Sequence, residues 1–452
     1  MVSLTFFGGA NEIGGNKVLL EDKDAKIYLD FGQSFDFGED FFYDFLSPRT
    51  VNGLEVHFEF NMLPKVPKLY SKDKLKCTDL KYEKPNIDAI FISHSHSDHI
   101  NHLQFVDEEI PIYMGHGTYR VIEIYDKLYP QFSGFGEHNN LNLFKSGDKI
   151  RVKHLEITPI HVEHSVPGAY GFIIKTSKGN IVYTGDFRLH GPKSRLTEEF
   201  VKEAAKAKPY AMLCEGTRMS SESEHDYTEE EIGKKVSDIV SKSKGLVLGY
   251  FSMSNVDRVV SFYDAAIENK RTLVVDTRLA YVLDKLKEKV DALPDVRNDK
   301  NVKVYYRIAK SCTFDKMDYA PWEREYMDKM ITHKEISENP KKYLMHMGFY
   351  RLMELVYIKP KDSDFIYSMS EHFYEGDENE AQRTIWENWM KHFGITFHKA
   401  HCSGHASKED LKEVIKKINP EILIPMHTMN PEGFKEMHKK VILPEKEKRI
   451  EL

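Results

Sequence analysis

A histidine-rich loop after an apolar run is the feature that most constrains this sequence. The loop reads Ser-His-Ser-His-Ser-Asp-His over residues 93–99, and the run Ile-Asp-Ala-Ile-Phe-Ile precedes it. Such a short, branched run predicts a buried strand that delivers the loop at its C-terminal end. His94 and His96 can bind one cation, while Asp98 and His99 point to a second, and zinc favours these ligand types. A histidine-rich surface loop or a single structural metal site explains this spacing less well.

Composition narrows the class of protein without assigning a function. At 452 residues the chain is long enough for two domains, and 41% apolar with 30% charged residues describes an ordinary folded protein. No apolar run approaches a membrane span, and the N-terminus is expected to begin a strand rather than a signal peptide. A net charge of −7 argues against bulk attraction to nucleic acid. A reducing cytoplasm is expected because the thiols are scattered, at Cys77, Cys214, Cys312 and Cys402.

Two parts of the chain have distinct patterns. Residues 33–84 are expected to be irregular, with an aromatic, acidic first part and a lysine-rich second part over 61–84. We interpret them as a packed insertion with solvated lysines, and the alternative is an interaction surface. From residue 228 onward, helices alternate with strands, which predicts a parallel sheet. The predicted helices are 228–243, 255–269, 278–290, 381–393 and 407–418, and the predicted strands are 246–251, 272–276, 363–369, 395–400 and 421–426. A closing helix is expected after the last strand.

Further metal ligands are expected at the ends of other strands. Asp186 follows a predicted buried strand through a glycine and could bridge two ions. His427 ends another apolar run, and either His161 or His164 could contribute an imidazole. Spacing alone does not separate those two. Asp30 would hold an imidazole through its second ring nitrogen.

The paired ligands indicate a type of chemistry. Two zinc ions about 3.5–4 Å apart activate water and stabilise both oxygens of a displacement at phosphorus. Phosphodiester hydrolysis is therefore favoured, although lactam or thioester hydrolysis uses similar sites. The residues alone predict metal-assisted hydrolysis.

These residues together resemble the metallo-β-lactamase superfamily, an α/β fold in which two sheets form an αββα sandwich. More specifically, the chain resembles the β-CASP nucleases, in which an α/β domain is inserted into that sandwich. Glu215 matches the acidic motif of this group, and Ser-Gly-His-Ala-Ser at 403–407 and Ile-Pro-Met-His at 424–427 match its two late histidine motifs. Within the group, the 403–407 motif and residues 253–258 are most similar to ribonuclease J and its archaeal relatives. The resemblance implies a sandwich domain from 1–214 and 395–452, with the β-CASP domain at 215–394.

The resemblance also implies a role for each matching residue. The first zinc would be held by His94, His96, His164 and Asp186, and the second by Asp98, His99, Asp186 and His427. The Ser-Val-Pro after His164 matches the family, so His164 is preferred over His161. Asp98, Glu215 and His405 would be catalytic, with His405 meeting the scissile phosphate and Glu215 orienting it. An RNA 5′ phosphate would be bound by Ser252, Ser254, Asn255, Ser403, Gly404, His405, Ala406 and Ser407. Taken without the resemblance, these serines could be helix N-caps, and the two roles can coexist.

The implied function is that of a ribonuclease with two Zn²⁺ ions per chain, or Mn²⁺ in their place. It would act on single-stranded RNA, as a 5′-to-3′ exonuclease on 5′-monophosphate ends with endonuclease activity as a further option. Ribonuclease J usually has Asp at the position of Glu215, whereas the pre-mRNA 3′-processing endonucleases have Glu there, as this chain does. Thr428 follows His427 where many relatives have Gly-Glu. A DNA nuclease of the same superfamily usually has Val at the position of His427, and an inactive scaffold subunit would have lost ligands.

The resemblance bears on two further features of the chain. The extra C-terminal domain of bacterial ribonuclease J is expected to be absent. A homodimer is possible, but the family's way of dimerising does not carry over directly to this chain. Residues 33–84 could line the RNA path through Lys65, Lys68, Lys72 and Lys74.

Overall fold

The computed structural model describes residues 1–452 except 36–40, 43–45, 130–137, 139, 221–226, 371–373 and 375–378. The chain divides into two units. The first comprises residues 1–189, 193–224 and 404–452, and the second comprises 190–192 and 225–403.

The described residues form twenty strands and twelve α-helices. The strands are β1 (Val2–Gly8), β2 (Lys17–Asp22), β3 (Ala25–Leu29), β4 (Ala89–Ile92), β5 (Ile112–Gly115), β6 (Leu141–Phe144), β7 (Ile150–Val152), β8 (Leu155–His161), β9 (Tyr170–Lys175), β10 (Asn180–Tyr183), β11 (Ala211–Glu215), β12 (Val247–Tyr250), β13 (Thr272–Asp276), β14 (Val302–Tyr305), β15 (Met330–Ile331), β16 (Tyr343–His346), β17 (Asp364–Tyr367), β18 (Thr396–Lys399), β19 (Ile422–Met426) and β20 (Arg449–Glu451). The helices are α1 (Glu55–Glu59), α2 (Ser97–Ile100), α3 (His116–Leu128), α4 (Arg195–Lys206), α5 (Glu229–Lys242), α6 (Val256–Glu268), α7 (Thr277–Lys287), α8 (Pro321–Arg324), α9 (His333–Glu338), α10 (Leu355–Ile358), α11 (Glu380–Phe393) and α12 (Lys408–Ile418).

The first unit is built from two sheets packed face to face. One has the order β20-β1-β2-β3-β4-β5-β6, and the other has the order β19-β11-β10-β9-β8-β7. Their inner faces share one apolar core, in which the rings of Phe91 and Phe172 meet edge to face at 5.8 Å. On the outer faces, Ile122 of α3 packs on the first sheet, and Phe200 of α4 and Leu411 of α12 pack on the second. This is the αββα sandwich expected from the resemblance, so the predicted fold class is confirmed.

The strand directions decide where the loops of the first unit meet. β3 runs parallel to β4, and β11 runs parallel to both β10 and β19. β4, β11 and β19 are buried along their whole length because layers cover both faces of their sheets. The carboxyl ends of parallel strands lie at one edge of a sheet, so the loops that follow these strands are brought together there.

The second unit contains one sheet in which all neighbouring strands are parallel, in the order β15-β14-β13-β16-β12-β17-β18. The alternation of helix and strand had predicted a parallel sheet. Trp386 of α11 is buried in its core, and Trp389 and Phe393 pack against that core. The aromatic stripe of this helix is therefore a packing feature.

Two details of the chain differ from the sequence-based predictions. The predicted first-domain strand at 395–400 is β18, which pairs with β17 in the sheet of the second unit, so that unit continues to residue 403. The predicted closing helix is wrong. Residues Pro431–Glu436 form only a 3₁₀ helix, and the C-terminal strand β20 instead pairs antiparallel with β1.

The segment 33–84 contains one short helix, α1, in its described part. Its apolar residues, including Phe58 and Tyr70, belong to the core beneath the outer face of the first sheet. Lys65 and Lys68 form ion pairs with Asp79 and Glu83 of the same segment. The described part therefore has the form of a packed insertion, whereas residues 36–40 and 43–45 of its aromatic, acidic part lie outside the described residues.

Candidate metal centre and active site

The histidine-rich loop leaves the buried end of β4 and places its side chains in two different backbone settings. His96 has an extended backbone and precedes α2, whereas Asp98 and His99 lie inside that one-turn helix. His94, Asp98 and His99 are buried. The backbone changes from extended to helical at this point. The side chains before the change therefore point to a different place from those after it.

The described residues contain three groups that could each hold a metal ion, and two of these groups share no residue. In each group, one potential ligand atom per side chain lies within 4.8 Å of all the others. The first group comprises His94, His96 and His164, and the second comprises Asp98, His99, Asp186 and His427.

The first group consists of imidazoles whose nitrogens converge. His96 Nδ1 lies 3.0 Å from the Nε2 atoms of both His94 and His164. His164 Nδ1 donates a hydrogen bond to the Gly404 carbonyl at 2.6 Å, which leaves its Nε2 lone pair directed to the group. Burial lowers the pKa of His94 and His164 well below the usual range and that of His96 to about 4. These rings are therefore neutral at neutral pH, the form that binds metal.

The second group combines two carboxylates with two imidazoles. His427 Nε2 lies 2.9 Å from Asp98 Oδ2, and His99 Nε2 lies 3.1 Å from Asp186 Oδ2. Burial opposes ionisation of Asp98 and Asp186, but the neighbouring histidines outweigh it and hold both pKa values well below the usual range. Burial would lower the pKa of His427, but Asp186 and Asp98 raise it to about 9, and the same carboxylates raise that of His99.

Asp186 stands between the two groups. Its Oδ2 atom is 3.7 Å from His94 Nε2 in the first group. In the second group the same oxygen is 3.1 Å from His99 Nε2 and 3.6 Å from His427 Nε2. One carboxylate oxygen therefore lies within reach of potential ligands from both groups.

His164 rather than His161 belongs to this site. His161 is the last residue of β8 and His164 lies three residues later, but the ring of His161 packs on Tyr170 with the centroids 4.2 Å apart. His164 is buried beside His96. Burial beside the other imidazoles therefore separates His164 from His161, which the spacing in the sequence did not.

Asp30 anchors the loop from beneath the second group. Its Oδ2 atom lies 2.7 Å from His99 Nδ1 and accepts hydrogen bonds from the hydroxyls of Ser93 and Tyr183. Its Oδ1 atom accepts from the Ser93 backbone N–H at 2.7 Å. A carboxylate at Nδ1 fixes the ring and its tautomer, which directs Nε2 to the ligand group.

One late-chain histidine, His405, and one acidic residue, Glu215, complete the cluster. His405 lies beside Asp186, with 3.9 Å between Nδ1 and Oδ2, and its side chain is 19% exposed. Its Nδ1 atom is 3.5 Å from Glu215 Oε1. His164, Asp186 and His405 also lie close enough together to hold an ion. His405 could therefore act either as a metal ligand or as a residue that contacts the substrate.

Several residues that shape this site were not identified from the sequence. The Gly-rich turn after β1 supports it, because the Gly9 carbonyl accepts from the backbone N–H of His427, which has a left-handed φ of 52°. Asn16 places its amide nitrogen 3.0 Å from His99 Nε2. At Gly32 a Cβ atom would lie 1.8 Å from the Asp98 carbonyl oxygen, so only glycine fits there. A glycine-rich stretch was visible in the sequence, but its distant partner was not.

The residues expected to bind an RNA 5′ phosphate belong to different units. Ser252, Ser254, Asn255 and Ser403 lie in the second unit, and residues 404–407 lie in the first. Asn255 caps α6 by accepting from the Arg258 N–H, and Ser407 caps α12 by accepting from the Asp410 N–H. Helix capping, the alternative role, is therefore present at both positions.

Arg258 ends the 253–258 motif and is buried inside the second unit. It forms a bidentate ion pair with Glu229, at 2.7 and 3.1 Å, and donates to the hydroxyl of Ser368. This part of the motif connects α6 to α5 and to the end of β17.

The donor set fits a divalent metal. It offers imidazole nitrogens and carboxylate oxygens, most of them buried, in two groups around a shared carboxylate. Such ligands suit zinc and related divalent ions. The residues present can hold a divalent metal.

Comparisons with known proteins agree with this geometry. The Beta-lactamase superfamily domain model matches residues 66–221, and the model of the Zn-dependent metallo-hydrolase RNA specificity domain matches residues 396–431. Ribonuclease J of Mycoplasma pneumoniae is 24% identical, over 93% of this chain and 67% of that protein. Ribonuclease J of Pyrococcus abyssi is 25% identical, over 94% of this chain and 90% of that protein.

A solved structure shows the same fold. A protein of unknown function from Enterococcus faecalis V583 superposes with a TM-score of 0.76 and 22% identity, covering 99% of both chains. Among the described residues, no helix combines the length and apolar character needed to cross a membrane. The sandwich, the paired ligand groups and these relatives agree on a metallo-β-lactamase fold of the β-CASP, ribonuclease J-like type.

Proposed function

We propose that this protein is a ribonuclease that hydrolyses RNA phosphodiester bonds with two Zn²⁺ ions per chain, Mn²⁺ being the alternative metal. The observation that carries the proposal is the position of Asp186 Oδ2 between the two ligand groups, 3.7 Å from His94 Nε2 and 3.6 Å from His427 Nε2. RNA as the substrate is supported by the RNA specificity domain match at residues 396–431 and by the ribonuclease J relatives. A pair of divalent ions supplies charge stabilisation to phosphate oxygens and lowers the pKa of water.

His405 is the residue that we propose to protonate the leaving oxygen. Its side chain is 19% exposed, whereas Asp186 and Glu215 beside it are almost fully buried. A partly exposed imidazole beside a buried ligand cluster can contact substrate without displacing a ligand. A general acid at this position contributes typically about 10²- to 10⁴-fold to the rate.

We further propose that cutting begins at the 5′ end and prefers a 5′ monophosphate. This step rests on the similarity of the 253–258 and 403–407 motifs to those of ribonuclease J. The backbone N–H groups at the start of α6 and of α12 are suited to phosphate. A homodimer is compatible with the same resemblance, and sedimentation of the purified protein would measure it.

One assay tests the activity and the direction of cutting together. RNA carrying a 3′ fluorophore and a 5′ hydroxyl, monophosphate or triphosphate is incubated with the metal-loaded protein, and DNA of the same sequence serves as a second substrate. We expect mononucleotides from 5′-monophosphate RNA and little product from DNA. An Asp186→Ala protein purified in parallel excludes a contaminating nuclease.

The alternatives predict different products in this assay. Equal rates on all 5′ ends with internal fragments would favour an endonuclease, as the glutamate at position 215 would suggest from its resemblance to the 3′-processing enzymes. Faster hydrolysis of DNA would instead favour a DNA nuclease. If no metal-dependent hydrolysis occurs on either nucleic acid, the proposed function is wrong.

The 5′-end preference can be tested separately from the chemistry. Replacing Ser254 and Ser407 with Ala should reduce the preference for 5′-monophosphate RNA while metal content stays the same. Cutting within long RNA should suffer less because it needs no end. Unchanged preference in this double variant would exclude the two serines from 5′-phosphate binding.

A further inference from the structure

Thr217 lies in the turn after β11, where its hydroxyl meets three residues of the site. Thr217 Oγ1 is 3.0 Å from Glu215 Oε2, 3.1 Å from His405 Nδ1 and 2.8 Å from His427 Nδ1. Its backbone N–H also donates to Glu215 Oε2 at 3.0 Å. A single hydroxyl thus connects an acidic residue, a late-chain histidine and a ligand of the second group.

The hydrogens of this cluster can be placed from its chemistry. The carboxylate of Glu215 only accepts, so the one hydroxyl proton of Thr217 goes to it. His427 presents Nε2 to the second ligand group, 2.9 Å from Asp98 Oδ2, so its Nδ1 carries the proton and donates to Thr217. The second lone pair of the hydroxyl then accepts from His405 Nδ1–H. Each hydrogen-bonding position of the hydroxyl is used.

Glu215 is hydrogen-bonded to this hydroxyl, which is in turn hydrogen-bonded to His405. The direct distance from Glu215 Oε1 to His405 Nδ1 is 3.5 Å and does not form a hydrogen bond, and Oε1 is buried with no hydrogen-bond partner among the described residues. Beside this direct ion-pair distance, the hydrogen-bonded connection from Glu215 to His405 therefore runs through Thr217.

We propose that Thr217 is the positioning residue that carries the effect of Glu215 to His405 and aligns that ring with the ligand His427. The proposal rests on the ribonuclease function proposed above, because it assigns a role within that reaction. Thr217 touches neither substrate nor metal in this role. It orients a proton donor.

The proton transfer that follows is balanced. With Nδ1–H held by Thr217, His405 acts as the doubly protonated imidazolium, and the proton that it gives away is the one on Nε2. As the P–O bond breaks, its electron pair stays on the leaving oxygen, which takes the Nε2 proton. Water supplies the oxygen that replaces the leaving group at phosphorus, and its proton restores His405.

A pair of matched variants tests this role. Thr217→Val keeps the size and branching of the side chain but removes the hydroxyl, whereas Thr217→Ser keeps the hydroxyl. We expect Thr217→Val to lower kcat on RNA about a hundredfold with metal content preserved, in line with lost general-acid assistance. Thr217→Ser should recover most of that loss.

A second substrate separates positioning of the acid from damage to the metal centre. Bis(p-nitrophenyl) phosphate has a leaving group that departs without a proton, so loss of general-acid help should change its hydrolysis less than about threefold. In the His405→Ala protein, where the acid is already missing, adding Thr217→Val should cost little more on RNA.

Each outcome decides the matter. Rates on RNA that stay the same in Thr217→Val, equal losses on both substrates, loss of metal, or full additivity with His405→Ala would each overturn the positioning role. If the unsubstituted protein does not hydrolyse RNA, the ribonuclease function itself fails, which is a different result from an active enzyme that ignores Thr217.

Discussion

The two ligand groups meet at Asp186, yet they differ in charge and in what they need before metal binds. The first is a set of imidazoles that burial keeps neutral, with the pKa of His96 lowered to about 4. The second contains two ionised carboxylates, and these raise the pKa of His427 to about 9. The first group is therefore ready for a cation, whereas protons compensate the buried carboxylates of the second until a cation replaces them.

The largest effect should come from the residue that the groups share. Asp186→Ala should reduce the metal content at both groups and lower RNA hydrolysis by about 10⁴-fold, since several kcal/mol of charge stabilisation would be lost. Metal analysis of the purified variant beside the unsubstituted protein provides the measurement. Loss of one ion with the other retained at full occupancy would show that Asp186 belongs to a single group. One ion per chain in the unsubstituted protein would refute the binuclear proposal.

Replacing His405 tests whether the site contains a third ligand group besides the two compared here. As a proton donor, it should leave metal content intact when replaced, and His405→Ala should lower kcat by about 10³-fold. Metal content and single-turnover rates are measured on the same preparation. Loss of metal would instead make His405 a ligand together with His164 and Asp186, which lie within reach of one another.

Asp30 allows the second group to be weakened alone. Asp30→Asn keeps the size of the side chain but removes the charge 2.7 Å from His99 Nδ1. A partner of this kind is worth about 10- to 100-fold in metal affinity. Titration with a chelator should show one weakened site and one unaffected site. Equal weakening of both would mean that Asp30 supports the whole loop rather than His99.

The pH dependence of metal binding should differ between the groups. His427 has a pKa of about 9 before metal binds, so below that pH the second group must release a proton, and its apparent affinity should rise with pH up to about 9. At the first group, His96 is already neutral at neutral pH, so affinity should stay level down to about pH 5. Calorimetry in two buffers of different ionisation enthalpy measures the protons released. Equal release at both groups would contradict the contrast drawn here.

The parts of the site that the sequence predicted are those whose ligands lie close together along the chain. Residues 93–99 place four candidate ligands in one loop, and the apolar run before them shows how they are delivered. His161 and His164 could not be separated, because they lie three residues apart at the end of the same strand and only their packing differs. Thr217 was not identified because its role depends on three loops that meet from distant positions.

The fold, like the site, could be predicted where it depends on residues that are close together in the sequence. The parallel sheet of the second unit followed from local alternation of helix and strand. The C-terminal strand β20 did not, since it is defined by pairing with β1 at the other end of the chain. The predicted closing helix is instead the 3₁₀ helix Pro431–Glu436, at the start of which the Asn430 side chain accepts from the Gly433 N–H.

The order of the site residues along the chain has a practical consequence. His94, His96, His164 and Asp186 all precede the second unit, whereas His405 and His427 follow it. A ribosome that stops, or a protease that cuts, before residue 405 would remove the proposed proton donor and His427, together with β19 and β20 of the sandwich. Counting intact C-termini by mass spectrometry would therefore give the number of chains that carry every residue of the site.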